Sequence, residues 1–252
     1  MLSFSNTNSQ GTSQTVAAGS LFTNAAGYGF SIFSPTARSL ITAGASNTTV
    51  EEADRTSTTC FMRGYKEKIR IQTSSSLPWL WRRIVFTTKG DLFHKLSKDE
   101  YAPTQTYNGY SDTSIGMARL WFDLSKNVSP LTISGIQSVL FKGTQNQDWN
   151  DLMVAPVDGS RVTILSDKVS KITTGNSNGH FSERNLYYPF NKNIVYDDDE
   201  SGGGVTTQYW STNAKPGMGD VYIIDITVPG MGGSAADVIN INAHSTLYWH
   251  EK

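Results

Sequence analysis

The chain has 252 residues, with 22 acidic and 21 basic side chains and a formal charge of −1, so any charge able to meet a polyanion must be gathered locally. Only 17% of residues are charged and 11% are aromatic, while Ser, Thr, Asn and Gly are abundant; this composition argues against a helical enzyme or coiled coil and for a β-rich chain with many turns. The lone Cys60 excludes an intrachain disulfide, the opening MLSFSNTNSQGTSQT lacks the features of a secretory signal, and no apolar run approaches the roughly 20 residues of a membrane span.

In chain order, residues 1–57 read as a polar N-terminal arm. One apolar island in it, Leu21, Tyr28, Phe30, Ile32 and Phe33, is able to dock on the body. Residues 58–252 read as the folded domain. Alternation predicts strands over Thr58–Thr73 and Trp79–Thr88, with Leu77-Pro78 punctuating the turn between them. Further strands are expected at Gly116–Leu124, Ile133–Lys142, Arg161–Ser166 (continuing to Thr173), Phe190–Tyr196, Asp220–Val228 and Val238–Trp249. Clusters at Gly202–Gly204, Lys215–Gly219 and Pro229–Gly233 separate them. No segment shows a convincing amphipathic helix. The expected fold is all-β: one jelly-roll β-sandwich of about eight antiparallel strands with long loops.

The first strand pair holds most of the chemistry. From Cys60 to Lys89 the bases are Arg63, Lys66, Lys68, Arg70, Arg82, Arg83 and Lys89, against the single acid Glu67. Period-two alternation places Lys66, Lys68 and Arg70 on one face and Arg63 on the other, and it turns Arg82 and Arg83 opposite ways. A basic β surface suits phosphate contacts made without reading sequence.

The runs MRGYKE and WLWRRIVF resemble coat proteins of genomoviruses, the gemycircularvirus group of circular single-stranded DNA viruses related to geminiviruses. FKGTQNQDWNDLMVAPVD (Phe141–Asp158) is similar to an aromatic-Gly-Thr…Asp-Trp pattern of that family. LYYPFNKNIVYDDDESGG (Leu186–Gly203) resembles its Asn-Lys…Tyr-Asp-Asp-Glu block, and KPGMGDVYIIDI (Lys215–Ile226) its Gly-Met-Gly-Asp lead into a strand. These segments cover the body in order. The resemblance implies a capsid protein, not an enzyme, with no cofactor, that self-assembles into a small icosahedral (T=1) shell around single-stranded DNA. Its partners are then copies of itself, the viral DNA bound without sequence preference, and a host receptor that the sequence does not identify. The implied location is the virion, with passage through the host nucleus during assembly. Family members usually carry an Arg/Lys-rich arm before a segment resembling MLSFSNTN, so that arm is expected to lie outside this chain. Under this reading Arg63, Lys66, Lys68, Arg70, Arg82 and Arg83 line the shell interior.

Other constellations are weaker. The six tryptophans read mainly as core, with base stacking as the alternative. Trp149, in the polar run Gln147–Asp151, is the best candidate for an exposed anchor at a subunit contact. Asp197, Asp198, Asp199 and Glu200 read as a solvated acidic loop able to meet a basic patch on a neighbour; they lack the ligand spacing of an EF-hand, and no metal site is expected. Gly175-Asn176-Ser177-Asn178-Gly179 matches the nucleophile-elbow pattern, yet the following His180 segment has no helical periodicity, so it reads as a surface turn. Asp148, Asp151 and Asp225 are carboxylates that no motif pairs for glycoside cleavage. The main rival reading is a lectin-like jelly-roll module whose exposed aromatics stack on sugars.

Overall fold

The structure, a computed structural model, describes residues 1–42, 45–48, 54–114 and 116–251. Four strands precede residue 34: β1 (Ser3–Thr7), β2 (Ser13–Ala18), β3 (Leu21–Asn24) and β4 (Gly29–Phe33). A small pair follows, β5 (Ile41–Thr42) with β6 (Ala45–Ser46). The middle of the chain supplies β7 (Thr59–Thr73), β8 (Trp79–Thr88), β9 (Ser111–Thr113), β10 (Gly116–Asp123) and the helix α1 (Pro130–Leu140). The last third supplies β11 (Thr163–Ile172), β12 (Phe181–Val195), the short pair β13 (Asp199–Ser201) and β14 (Gly204–Thr206), then β15 (Asp220–Pro229) and β16 (Val238–Glu251).

Two sheets face each other across the core, making an all-β sandwich. The smaller runs β12-β7-β16-β3, and the larger runs β11-β8-β15-β4-β10-β1-β2 with β9 on the side of β10. Every pairing is antiparallel except β1 with β10. Four two-strand units, β3/β4, β7/β8, β11/β12 and β15/β16, each place one strand in each sheet.

Two expectations are corrected here. The first 33 residues of the expected 1–57 arm are not attached to a finished domain but belong to it: β4 is an inner strand of the larger sheet, β3 is the edge strand of the smaller, and β1 and β2 extend the larger. The polar composition misled because β1 carries Ser5, Asn6 and Thr7 as buried residues whose side chains hydrogen-bond locally or, for Asn6, to Asp123. The strand expected at Ile133–Lys142 is instead α1 over most of its length. Pro130 opens the helix, where its missing N–H costs nothing. Ile133, Ile136 and Leu140 then fall on one buried stripe. Three- and four-residue spacing outweighed the β-branched content of a short apolar run.

Other segments cover the outer face of the larger sheet: Phe93 packs on Phe86 and Tyr222, and Phe141, Leu152 and Ala155 lie over Arg82. Strands β8, β15 and β4 are therefore buried on both sides, which explains near-continuous apolar runs such as VYIIDITV. Between the sheets the apolar core divides in two. Along β7, Tyr65 belongs to one cluster and Ile69 to the other; along β8, Val85 and Trp81 divide likewise. Glu67 and Arg83 stand at the division.

There Arg83 holds Asp225 through two hydrogen bonds of 2.7 and 2.9 Å and also pairs with Glu67. Arg119 bonds Glu67 at 2.9 Å and Asp225 at 3.0 Å, closing a ring of two cations and two anions. The Tyr65 hydroxyl donates to Glu67 and the Trp81 indole donates to Asp225, each at 2.8 Å. The Arg119 guanidinium lies 3.5 Å from the Trp121 ring centre. Burial pushes the Glu67 carboxyl up, but Arg83 and Arg119 outweigh it and hold the group below its ordinary range.

Glu67→Gln leaves two buried guanidinium groups facing one carboxylate. It should lower stability by about 3–5 kcal/mol in urea unfolding, whereas Lys68→Ala, which breaks only the exposed Lys68–Glu183 pair, should cost less than about 1 kcal/mol. Equal losses would remove the special role of the ring. A second expectation concerns Asp220, at the start of β15. Burial pushes its carboxyl up to about 7, even though it accepts hydrogen bonds from the Ser211 N–H and hydroxyl. The folded state thus binds a proton that the unfolded chain has released, so this group's contribution falls as pH rises from about 4 to about 7 and is level above. Asp220→Asn should flatten that part of the stability–pH profile; parallel profiles would show that the carboxyl is ionised throughout.

Candidate nucleic-acid interface

The outward face of the smaller sheet is built on β7, its central long strand. Lys66, Lys68 and Arg70 point to solvent at alternate positions, as period two requires. Arg63 also lies on the solvent side, contrary to the expected opposite face. Strand β16 steps once, Tyr248 to Trp249, while β7 steps twice, Gly64 to Met62, so Arg63 is the extra residue of a bulge. A second irregularity, between Pro189 and Lys192, carries Asn191 at φ 52°, and its side chain accepts a 2.6 Å bond from Arg63.

Arg82 and Arg83 do not join this face, and their assignment to a nucleic-acid lining is withdrawn. Arg83 is the centre of the buried ring. Arg82 points to the far side of the larger sheet, beneath residues 152–155, where it bonds the Leu152 and Ala155 carbonyls and pairs with Asp167. Both are 3% exposed.

Neighbouring strands add residues that the basic pattern alone did not select. In register with Lys66 lie Tyr187 on one side and Thr246 on the other; Lys68 sits between Asn185 and His244, and Arg70 between Glu183 and Asn242. Tyr187 and Tyr248 are 49% and 42% exposed; Tyr248 pairs with Gly64, and the Tyr187 ring reaches the same glycine from its place beside Lys66. A Cβ at Gly64 would come within 2.6 Å of the Tyr187 hydroxyl, so the glycine lets that ring lie down over the strand. Phe61 and His250 stack at 6.4 Å further along the same sheet. The alternation Phe181, Glu183, Asn185, Tyr187 was available in HFSERNLYY as a signal for this second row.

Four cations therefore share an open face with two exposed tyrosines and one acid, Glu183, which meets Lys68 at 3.1 Å. A groove of 430 Å³ joins this face to the start of the chain, with Lys68, Arg70, Glu183, Asn242 and His244 in its wall beside Leu2, Ser3 and Ala18–Ser20. Flexible cations contact phosphates at variable spacing, while exposed rings accept any base; the arrangement suits a single strand laid across the sheet.

The remaining candidates fall elsewhere. Trp149 is 8% exposed and packs edge-on against Phe141 at 5.2 Å, so it is a core residue rather than an exposed anchor. A polar local sequence concealed this because the covering residues come from α1's end. In the acidic run, Asp197, Asp199 and Glu200 are exposed, but Asp198 is buried against Arg55 at 2.6 Å and is not free for a neighbour. Arg55 in turn lies 3.8 Å from the Tyr196 ring centre. Among the described residues no three His, Cys, Asp or Glu side chains are grouped to hold a metal. Gly175–Gly179 forms the turn between β11 and β12, and His180 is engaged by the Thr173 carbonyl and Ser182 hydroxyl. Asp148 and Asp151 accept backbone N–H bonds in their own loop, and Asp225 belongs to the buried ring.

Replacing Lys66, Lys68 and Arg70 together by Ala should weaken binding of an unstructured oligonucleotide and reduce its logarithmic salt slope by about 2. Tyr187→Ala should cost about 1–3 kcal/mol while leaving that slope unchanged. A triple variant with the parent slope would remove this face from consideration. Comparison with protein-family models and with curated proteins yields no match to this chain.

Proposed function

We propose that the chain is a coat protein of a small circular single-stranded DNA virus, assembling with copies of itself into a closed icosahedral shell. The observation that carries this reading is the open face of Arg63, Lys66, Lys68, Arg70, Tyr187 and Tyr248, which offers phosphate and base contacts without a sequence-reading element. Strand order supports it. Numbering the strands of the four split units one to eight in chain order, the sheets read 6-3-8-1 and 5-4-7-2, an order that supports the jelly-roll reading. The ordered resemblance of four segments to genomovirus coat proteins supports the same reading. Under it the buried ring stiffens each subunit, and the smaller sheet faces the packaged DNA.

The lectin-like alternative draws on one specific feature, a polar cleft of 880 Å³ beside the stacked Tyr110–Tyr209 pair, whose rings lie 4.1 Å apart. Aromatic rings beside hydroxyl and amide groups suit a sugar. That reading leaves the basic face of the smaller sheet without a role.

Purified protein stripped of nucleic acid should form uniform closed particles, alone or on adding single-stranded DNA, in light scattering and negative-stain microscopy. A monomer under both conditions that binds glycans and not DNA would sink the coat-protein reading in favour of the alternative.

A further inference from the structure

Five arginines are buried among the described residues: Arg38, Arg55, Arg82, Arg83 and Arg119. Four of them meet carboxylates: Arg55 meets Asp198, Arg82 meets Asp167, and Arg83 and Arg119 meet Glu67 and Asp225. Arg38 is the exception. It is 4% exposed, and no carboxylate of the described residues lies within 4.0 Å of its guanidinium. Its Nε has no partner there, and its one side-chain hydrogen bond, from Nη2, goes to the Met1 thioether, a weak acceptor, at 3.3 Å. The Trp249 ring, 5.7 Å away, offers a further weak contact. Burial pulls the guanidinium down, and only the more distant Tyr196, Asp54, Asp112 and Tyr65 act the other way.

This guanidinium lines a cleft of 480 Å³ where β1 and β10 of the larger sheet meet β16 of the smaller. Leu2, Phe4, Met117, Leu247 and Trp249 supply its apolar walls, and Met1, whose ammonium donates to the Ser245 carbonyl at 2.6 Å, lies in the lining with His244, Ser245 and Thr246. The volume is that of a small-ligand site, and a cleft with apolar walls and a few convergent polar groups is the usual form of such a site. A buried cation without a counter-ion is costly, and a guanidinium matches a carboxylate with two parallel hydrogen bonds. The neighbouring fields of Asp54 and Asp112 favour a monoanion over a dianionic phosphate.

We propose that this cleft binds an amphiphilic monocarboxylate, its carboxylate on Arg38 and its hydrocarbon chain along Leu2, Phe4, Met117, Leu247 and Trp249. Bound there, the ligand supplies a counter-charge that no described residue brings within 4.0 Å and fills the opening between the two sheets, so occupancy stabilises the fold by mass action. The proposal is independent of the DNA-binding reading, since Arg38 is not one of the cations on the outward face of the smaller sheet.

The test is calorimetric titration of the full chain with octanoate, octan-1-ol and octyl phosphate. Octanoate should bind saturably, one per chain, at least about tenfold more tightly than the alcohol, and more tightly than the phosphate. Arg38→Met keeps an apolar side chain of similar length and should abolish the preference for octanoate over octanol. Met117→Trp, which fills the cleft and leaves Arg38 in place, should block both; it decides the matter if the Arg38 variant does not fold. Equal affinity for octanoate and octanol, non-saturating uptake, unchanged octanoate binding in either variant, or no octanoate binding at millimolar concentration would each overturn the proposal. Tighter binding of octyl phosphate would overturn the choice of a monoanion.

Discussion

Opposite charges enclosed between the two sheets constrain everything else in this molecule. Arg83 and Arg119 come from the larger sheet with Asp225, and Glu67 comes from the smaller, so the ring bonds one layer to the other. Apolar residues in a sandwich tolerate sliding, because dispersion contacts have no preferred direction. Hydrogen-bonded ions do not: a one-residue slip of β7 would turn Glu67 to solvent and leave two guanidinium groups buried without it. The ring thus specifies register in the four strands that meet there, β7, β8, β10 and β15, while the apolar clusters on either side supply the favourable burial.

That constraint also explains how one basic stretch serves two purposes. Once Glu67 must face inward, Lys66, Lys68 and Arg70 must face outward, because alternation on β7 allows nothing else. The exposed basic face and the buried acid are two consequences of the same pleat. On β8 the logic is reversed: the inward position holds Arg83, and the outward Arg82 is covered by residues 152–155 rather than left to water. Covering the larger sheet and leaving the smaller one bare makes the sandwich asymmetric. The bare side is where a large, flexible ligand has room to lie.

Arg38 stands apart in this account. The other buried arginines join or anchor elements: Arg55 ties the segment before β7 to Asp198, Arg82 ties the covering layer to β11, and the ring arginines tie the sheets. Each is repaid by a carboxylate of this chain. A guanidinium that is buried yet meets no carboxylate among the described residues, at the mouth between the sheets, breaks the rule that the other buried arginines follow.

The sequence by itself determined the all-β class, the long strands β7, β8, β15 and β16, and the outward row of Lys66, Lys68 and Arg70, because period-two alternation is a property of the chain alone. It also marked the tryptophans mainly as core, and Trp79 and Trp81 are buried. Only tertiary structure decided that Arg82 and Arg83 are interior, since burying a cation depends on carboxylates brought from β11 and β15, far away in the chain. The same holds for Trp149, covered by residues its local sequence does not contain, and for the first 33 residues, whose polar strands are stable only through pairing with β10, β15 and β16. A bulge moved Arg63 onto the basic face, and bulges arise from two strands adjusting to each other. Local spacing records which way a side chain points along its own strand; whether that direction leads to water or to a counter-ion is settled only when the other strands arrive.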